Sequence, residues 1–323
     1  MKILIAGGSG QVGTILARAF HQRGDEVIVL SRRGADLQKP WRTVFWDGIQ
    51  SGPWCAELEG SDAVIGLAGR SVNCRYSRKN RDLIRESRVL STRALGRAIF
   101  DCAQPPPVWL QAGTATIYQH SDGCAHDEQT GILGGLEKDV PETWRFSVDV
   151  AKSWEAEAKA FESLPSTRLV LMRSAMVMSP DAGGVFDAFL RLVRLGLGGQ
   201  IGDGRQFVSW IHDADFVKAV CLLLRNKSLS GAVNLASPNP IPNRDFLRDL
   251  RGAMGIRIGL PARGIILEAG SAIFGTESEL VLKSRNVVPG KLLAEGFEFK
   301  FPFWRDAAID LCERWSSVQR IRD

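Results

Sequence analysis

Near its start the chain carries Gly7-Gly8-Ser9-Gly10-Gln11-Val12-Gly13, a spacing suited to holding a diphosphate. Glycine adopts backbone conformations that a side chain forbids, and it lets phosphate oxygens reach the main chain. A helix beginning there adds unpaired N–H groups and the positive end of its dipole. The predicted contacts are Gly7, Gly10, Gln11, Val12 and Gly13. About twenty residues on, where an acid would bind the ribose hydroxyls of NAD, stand Ser31, Arg32 and Arg33. A carboxylate would repel a 2′-phosphate, whereas guanidinium groups pair with one in fork geometry. NADP is therefore the expected cofactor, and Arg32 is nearer the strand end than Arg33. No metal set is expected, because His21, His120, His126 and His212 sit in unrelated contexts. Cys55, Cys74, Cys102, Cys124, Cys221 and Cys312 show no zinc or redox spacing and read as reduced thiols.

The elements around the turn make its spacing specific. Ile3-Leu4-Ile5-Ala6 is a continuous apolar run, as in a strand buried on both faces. Thr14 to Arg23 follows as a helix closed by Gly24, and Glu26 to Leu30 is the next strand. Asp62 to Gly69 is a further strand, and its small final residues Leu67, Ala68 and Gly69 leave room for a cofactor. Arg81 to Phe100 reads as a helix, Val108 to Ala112 as a strand and Gln119 to Pro141 as a long loop. Ser147 to Ser163 is again helical, and Thr167 to Arg173 is a strand. This alternation predicts an α/β fold with a Rossmann-type doubly wound parallel sheet.

The pattern then loosens into a helix at Val185 to Leu195, a glycine-rich run, a helix at Asp213 to Arg225 and a strand at Val233 to Leu235. Asn243 is expected to cap a helix reaching Met254. Residues 1–180 should form the NADP-binding Rossmann domain, with 205–236 returning to it. Residues 181–204 and 237–323 should form a smaller, interleaved C-terminal substrate region.

The 323 residues are 45% hydrophobic and 24% charged, which excludes a disordered or collagen-like chain. The net charge of +5 is weak support for nucleic acid. Arg70, Arg75, Arg78, Lys79, Arg81, Arg85, Arg88, Arg93 and Arg97 are opposed only by Asp82 and Glu86. With only slight aromatic interleaving and no recognition motif they read mostly as a solvated face, against a nucleic-acid partner. The longest apolar candidate for a membrane span, Val217 to Leu224, is broken by Lys218. Because the chain opens directly in a strand, a cytoplasmic protein is expected. It would be a monomer or homodimer, with a small molecule as partner.

The glycine turn, Ser31-Arg32, Leu67-Ala68-Gly69 and the strand at Gln111 together resemble extended short-chain dehydrogenase/reductases. The run from Leu195 to Phe207, then Ser209 to Asp213, is similar to their atypical "epimerase family" branch. Gly231 to Pro238 and Val288 to Phe299 match too, the latter resembling that branch's small C-terminal domain of unknown function. The resemblance covers essentially the whole chain. It implies an NADP-binding Rossmann fold, and it places Arg88 of Ser87-Arg88 near the adenosine phosphate and Val177 among the cofactor contacts.

Chemistry in the parent family uses a Tyr, a Lys four residues later, and a Ser or Thr that orients a carbonyl. Here Tyr76 is followed at that distance by Asn80 and Tyr118 by Asp122, so no Tyr-x-x-x-Lys exists. Registered on Glu155, the Tyr position is Ser147 and the Lys position Ala151. Lys152 stands one residue late, turned about 100° around the helix. Thr114 falls on the family's carbonyl-orienting hydroxyl, with simple backbone bonding as the competing role. Tyr118 and His212 are the remaining candidate proton carriers, each with a packing or hydrogen-bonding alternative. Arg205 is the candidate contact for an anionic substrate. The expected function is an NADP(H)-dependent oxidoreductase or epimerase-like enzyme on a small polar carbonyl, against a non-catalytic NADP-binding sensor or scaffold.

Overall fold

The computed structural model describes residues 1–33, 38–138, 140–261 and 279–322. The central layer is a seven-stranded sheet in the order β10-β6-β5-β4-β1-β2-β3. It is formed by β1 (Lys2–Ala6), β2 (Glu26–Ser31), β3 (Arg42–Phe45), β4 (Ala63–Gly66), β5 (Val108–Thr114), β6 (Arg168–Ser174) and β10 (Gly231–Leu235). Every neighbouring pair is parallel. The chain therefore has to cross the faces through helices α1 (Gln11–Gln22), α2 (Arg78–Asp101), α3 (Glu142–Lys159) and α5 (Asp213–Arg225).

Both sheet faces are covered, and β1 shows how. Ile3 and Ile5 point into a core shared with Leu16 and Phe20 of α1 and Phe216 and Leu223 of α5. Leu4 and Ala6 point the other way, into a core with Leu95 and Ile99 of α2 and Ala158 of α3. The two-residue alternation of a strand explains the division. The strand order reverses between β1 and β4, and in open α/β sheets ligands lie beyond the C-terminal strand ends at such a switch point.

A third core belongs to the second half of the chain. Helices α4 (Val185–Arg194) and α6 (Asn243–Ala253) pack with the terminal helix Trp304–Arg322 around Trp210 and Phe246. Beside it β7 (Met176–Met178) pairs in parallel with β9 (Trp210–His212), and β8 (Phe207–Val208) pairs antiparallel with β11 (Ile241–Pro242). Residues 231–235 return to the main sheet at its edge, beside β6.

Three local expectations need correction. Asn243 does not cap α6: it is the first helical residue, behind Pro242, and its Oδ1 accepts from Ile201 N at 2.9 Å. Helix α2 begins at Arg78 rather than Arg81, because Ser77 is its cap, with Oγ accepting from Asn80 N. Strand β3 was not anticipated: a short edge strand with two of its four residues exposed carries little apolar alternation. Among the described residues, no helix is long and apolar enough to cross a membrane.

Candidate functional site

The glycine turn lies at the switch point, between β1 and α1. Gly7 has φ +78°, and a Cβ there would lie 2.6 Å from the Ala68 Cα. A Cβ at Gly13 would lie 2.4 Å from the Gly8 Cα. Both contacts are with backbone, so strand, turn and helix pack this closely only without side chains. Gly10 is different: a Cβ there meets nothing within 4 Å. It is the N-cap of α1, and no side chain caps that end. The first N–H groups of a twelve-residue helix thus have no side-chain cap, the arrangement that receives an anion. Val12 packs partly against the core, and Gln11 Nε2 reaches the Asp181 carbonyl at 3.4 Å.

At the end of β2, Ser31 is buried and its Oγ accepts from Arg33 N at 3.2 Å, which fixes the turn. Arg32 and Arg33 are exposed. No carboxylate among the described residues pairs with either. Across the cleft, a methyl at Gly69 would lie 3.3 Å from the Arg88 side chain. Arg88 Nη1 donates to the carbonyls of Arg70 and Ile84 at 3.0 and 2.9 Å, and its guanidinium lies 5.0 Å from the Trp154 ring centroid. Burial pulls its pKa down to about 10. Held by two carbonyls and the Trp154 ring, with no carboxylate paired to it among the described residues, this cation is a ready partner for a phosphate.

The C-terminal end of β5 is the second half of the cleft. Thr114 Oγ1 accepts from Thr116 N at 3.2 Å and caps a single 3-10 turn, leaving its own O–H proton to donate. Over that turn lie groups from the segment 279–285. Lys283 Nζ donates to the Thr116 carbonyl at 2.8 Å, and Arg285 Nε donates to Thr116 Oγ1 at 3.0 Å. Arg285 Nη2 pairs with Glu279 Oε1 at 2.7 Å, and Glu279 Oε2 accepts from Ser147 Oγ at 3.2 Å. Tyr76, from the segment before α2, packs edge-on against Phe146 of α3, with ring centroids 5.1 Å apart. Glu279 is 1% and Lys283 3% exposed, so the cluster is desolvated. Burial, helped by the Arg285 charge, lowers the Lys283 pKa to about 8.

Other predicted groups are placed elsewhere. The Tyr118 hydroxyl accepts from Arg173 Nη1 at 2.9 Å and donates to Asn234 Oδ1 at 3.0 Å, at 2% exposure. Arg173 is itself clamped by both oxygens of Glu155 at 2.8 Å. This network ties the turn after β5 to β6, β10 and α3. His212 is 1% exposed: Nδ1 accepts from Ala214 N at 3.1 Å, capping α5, and Nε2 meets Asp310 Oδ2 at 3.0 Å. Both ring nitrogens are engaged in holding α5 and the terminal helix. Arg205 is 75% exposed and pairs with Asp203 at 3.0 Å, outside the cluster. Val177 is 7% exposed in the core beside β9. The Lys152 amine lies near Gly135, in the long loop.

The basic run divides by contact. Arg93 forms a two-point pair with Glu157 at 2.7 and 2.6 Å, and Arg81 pairs with Glu142, both joining α2 to α3. Arg88 makes no ion pair among the described residues and lies against Gly69 and the Trp154 ring. Sequence reasoning missed Glu279, Lys283 and Arg285, and left Tyr76 without a role. Their spacing reads as an ordinary charged helix face, and only the fold buries it over Thr116. Among the described residues no group of acidic, His and Cys side chains can hold a metal.

Comparison with known proteins agrees with this geometry. The profile of the NAD dependent epimerase/dehydratase family matches residues 3–236, and a domain of unknown function (DUF1731) matches residues 266–311. The human epimerase family protein SDR39U1 is 32% identical over 308 residues, covering 94% of this chain and 96% of the relative. The epimerase family protein SERP0438 of Staphylococcus epidermidis is 29% identical, covering 96% and 98%. The crystal structure of human SDR39U1 (isoform 2) with NADPH superposes with a TM-score of 0.81 at 30% identity, covering 97% and 99% of the two chains. With the fold, the glycine turn and the C-terminal segment all accounted for, the chain belongs to the NAD dependent epimerase/dehydratase family.

Proposed function

We propose that the chain is an NADP(H)-dependent oxidoreductase or nucleotide-sugar epimerase-like enzyme acting on a small polar carbonyl substrate. The observation that carries this reading is a turn open in front of Gly10 combined with two arginines at the end of β2. Gly7, Gly10, Gln11, Val12 and Gly13 hold the diphosphate through main-chain groups. Ser31, Arg32 and Arg33 take the 2′-phosphate, Leu67, Ala68 and Gly69 line the adenosine side, and Arg88 meets a phosphate oxygen. The relative crystallised with NADPH supports the cofactor assignment.

The bound nicotinamide supplies or accepts hydride. Thr114 donates a hydrogen bond from its hydroxyl to the substrate oxygen and so orients it. Lys283 and Arg285 keep the Thr114–Thr116 turn rigid and add positive charge beside it. Residues 1–180 with 205–236 serve the cofactor, and 181–204 with 237–323 the substrate.

Two titrations test the reading. NADPH fluorescence measures binding, and loss of absorbance with a panel of small carbonyls measures turnover. Tight binding with turnover is the expected result. The missing Tyr-x-x-x-Lys favours a second reading, a non-catalytic NADP-binding sensor, for which NADPH binds but no carbonyl oxidises it.

A further inference from the structure

A buried cation stands in the cluster over Thr116. Lys283 is 3% exposed, and its Nζ donates to the Thr116 carbonyl at 2.8 Å. An ammonium carries three donors, and among the described residues that carbonyl is the one acceptor this ammonium meets. Both oxygens of Glu279 are taken, one by Arg285 Nη2 and one by Ser147 Oγ. Glu137 attracts Lys283 through space, while its own carboxylate accepts from Gly135 N. Burying a cation with donors left unmade is costly. A neutral donor would hold the Thr116 carbonyl equally well, so the charge gains a use when an anion joins it.

The bonds around Thr116 place this cation near the substrate end. Thr116 N donates to Thr114 Oγ1 at 3.2 Å, and the carbonyl of the same residue accepts from Lys283. Lys283 Nζ therefore lies within about 10 Å of the Thr114 hydroxyl. Thr114, Thr116, Ser147 and Arg285 are half-buried, so the cluster meets solvent on their side, with Lys283 and Glu279 at its closed end.

We infer that Lys283 binds a carboxylate carried by the substrate, so that the carbonyl compounds taken by this site are short oxo acids. The inference rests on the oxidoreductase reading above and narrows its substrate class. With the carbonyl oxygen on Thr114 and the carboxylate on Lys283, a chain of about two or three carbons spans the distance. The charges of Glu279 and Glu137 act on the same place, and they repel a phosphate dianion more than a single carboxylate. Arg285, bonded to Thr116 Oγ1 and to Glu279, is a positioning residue. Arg205 pairs with Asp203 outside the cluster and takes no part.

Butanal matches succinic semialdehyde in chain length and lacks its carboxylate. Wild-type protein should oxidise NADPH with the semialdehyde at a KM ~10–100-fold below that for butanal, the contribution of one charged hydrogen bond. Lys283→Met should bring the two KM values together, and Lys283→Arg should keep part of the gap. The ratio between substrates is the readout, because Lys283 also holds the Thr116 turn. Equal KM values in the wild type overturn the assignment even where Lys283→Met fails to fold. So does a gap that survives Lys283→Met, and either result leaves the oxidoreductase reading intact. Calorimetry with succinate on NADP⁺-saturated protein reads the same contact without turnover. Uptake by the wild type that Lys283→Met abolishes is expected; no uptake, or equal uptake by both proteins, overturns the assignment. Wild-type protein that binds NADPH but oxidises it with no carbonyl removes the oxidoreductase reading, and the substrate assignment with it.

Discussion

Glu155→Gln should unfold the protein early without touching its chemistry. The Glu155 and Arg173 side chains are 6% and 7% exposed, and Arg173 gives both carboxylate oxygens a bond of 2.8 Å. Burial opposes the guanidinium charge, but the Glu155 carboxylate more than offsets it, and the Arg173 pKa is raised. The amide of Gln removes the negative charge and turns an N–H₂ toward a donor. Breaking a buried pair from one side costs about 3–5 kcal/mol. Unfolding entropy of ~2.1 cal/mol/K per residue over 323 residues is ~0.7 kcal/mol/K, so ~4 kcal/mol lowers Tm by ~6 °C. Circular dichroism melts read the shift directly. Tyr118→Phe leaves Asn234 Oδ1 and Arg173 Nη1 short of one partner each, at a cost of about 1–3 kcal/mol. Under ~1 kcal/mol for Glu155→Gln would refute the account of the network. So would a Tyr118→Phe protein that keeps its Tm but no longer oxidises NADPH.

Gly10→Ala and Gly13→Ala should separate binding from folding. The first places a methyl in open space before the diphosphate, so Tm holds and NADPH affinity falls; the second drives a methyl into the Gly8 backbone and lowers both. Fluorescence titration and melting curves distinguish the two. His212 sits below its ordinary pKa of 6.5, chiefly through burial, and a proton on Nδ1 would break the cap on Ala214. The unfolded chain then binds the extra proton first, so stability is full above about pH 6.5 and falls as pH drops below it. His212→Asn, which can still cap, should show a shallower fall in melts run across that range. An equal slope in both proteins would remove His212 from the explanation.

The sheet was legible because its signals are local. Ile3 to Ala6 reads as a doubly buried strand, and the glycines that follow can be tested against backbone geometry one at a time. The return of residues 231–235 to the sheet was legible through Val233 and Leu235. Strand β3 was not, since an exposed edge needs no alternation. The cluster over Thr116 was hidden for a different reason. Glu279, Lys283 and Arg285 become neighbours of Ser147 and Thr116 only by contacts spanning more than a hundred residues. Asn243 shows the same limit in miniature: its type suits a cap, but Ile201 N claims the side chain. Tyr76 was visible as one of two tyrosines, yet its packing against Phe146 depends on how the segment before α2 lies against α3.

Isothermal titration calorimetry with NADP⁺ and NAD⁺ tests the central claim most directly. A charge-assisted bond from Arg32 or Arg33 to the 2′-phosphate is worth about 1.5–3 kcal/mol. The account therefore predicts NADP⁺ bound ~10–100-fold more tightly than NAD⁺, with the preference lost in the double variant Arg32→Ala, Arg33→Ala. No uptake of either dinucleotide, or tighter binding of NAD⁺, would contradict it.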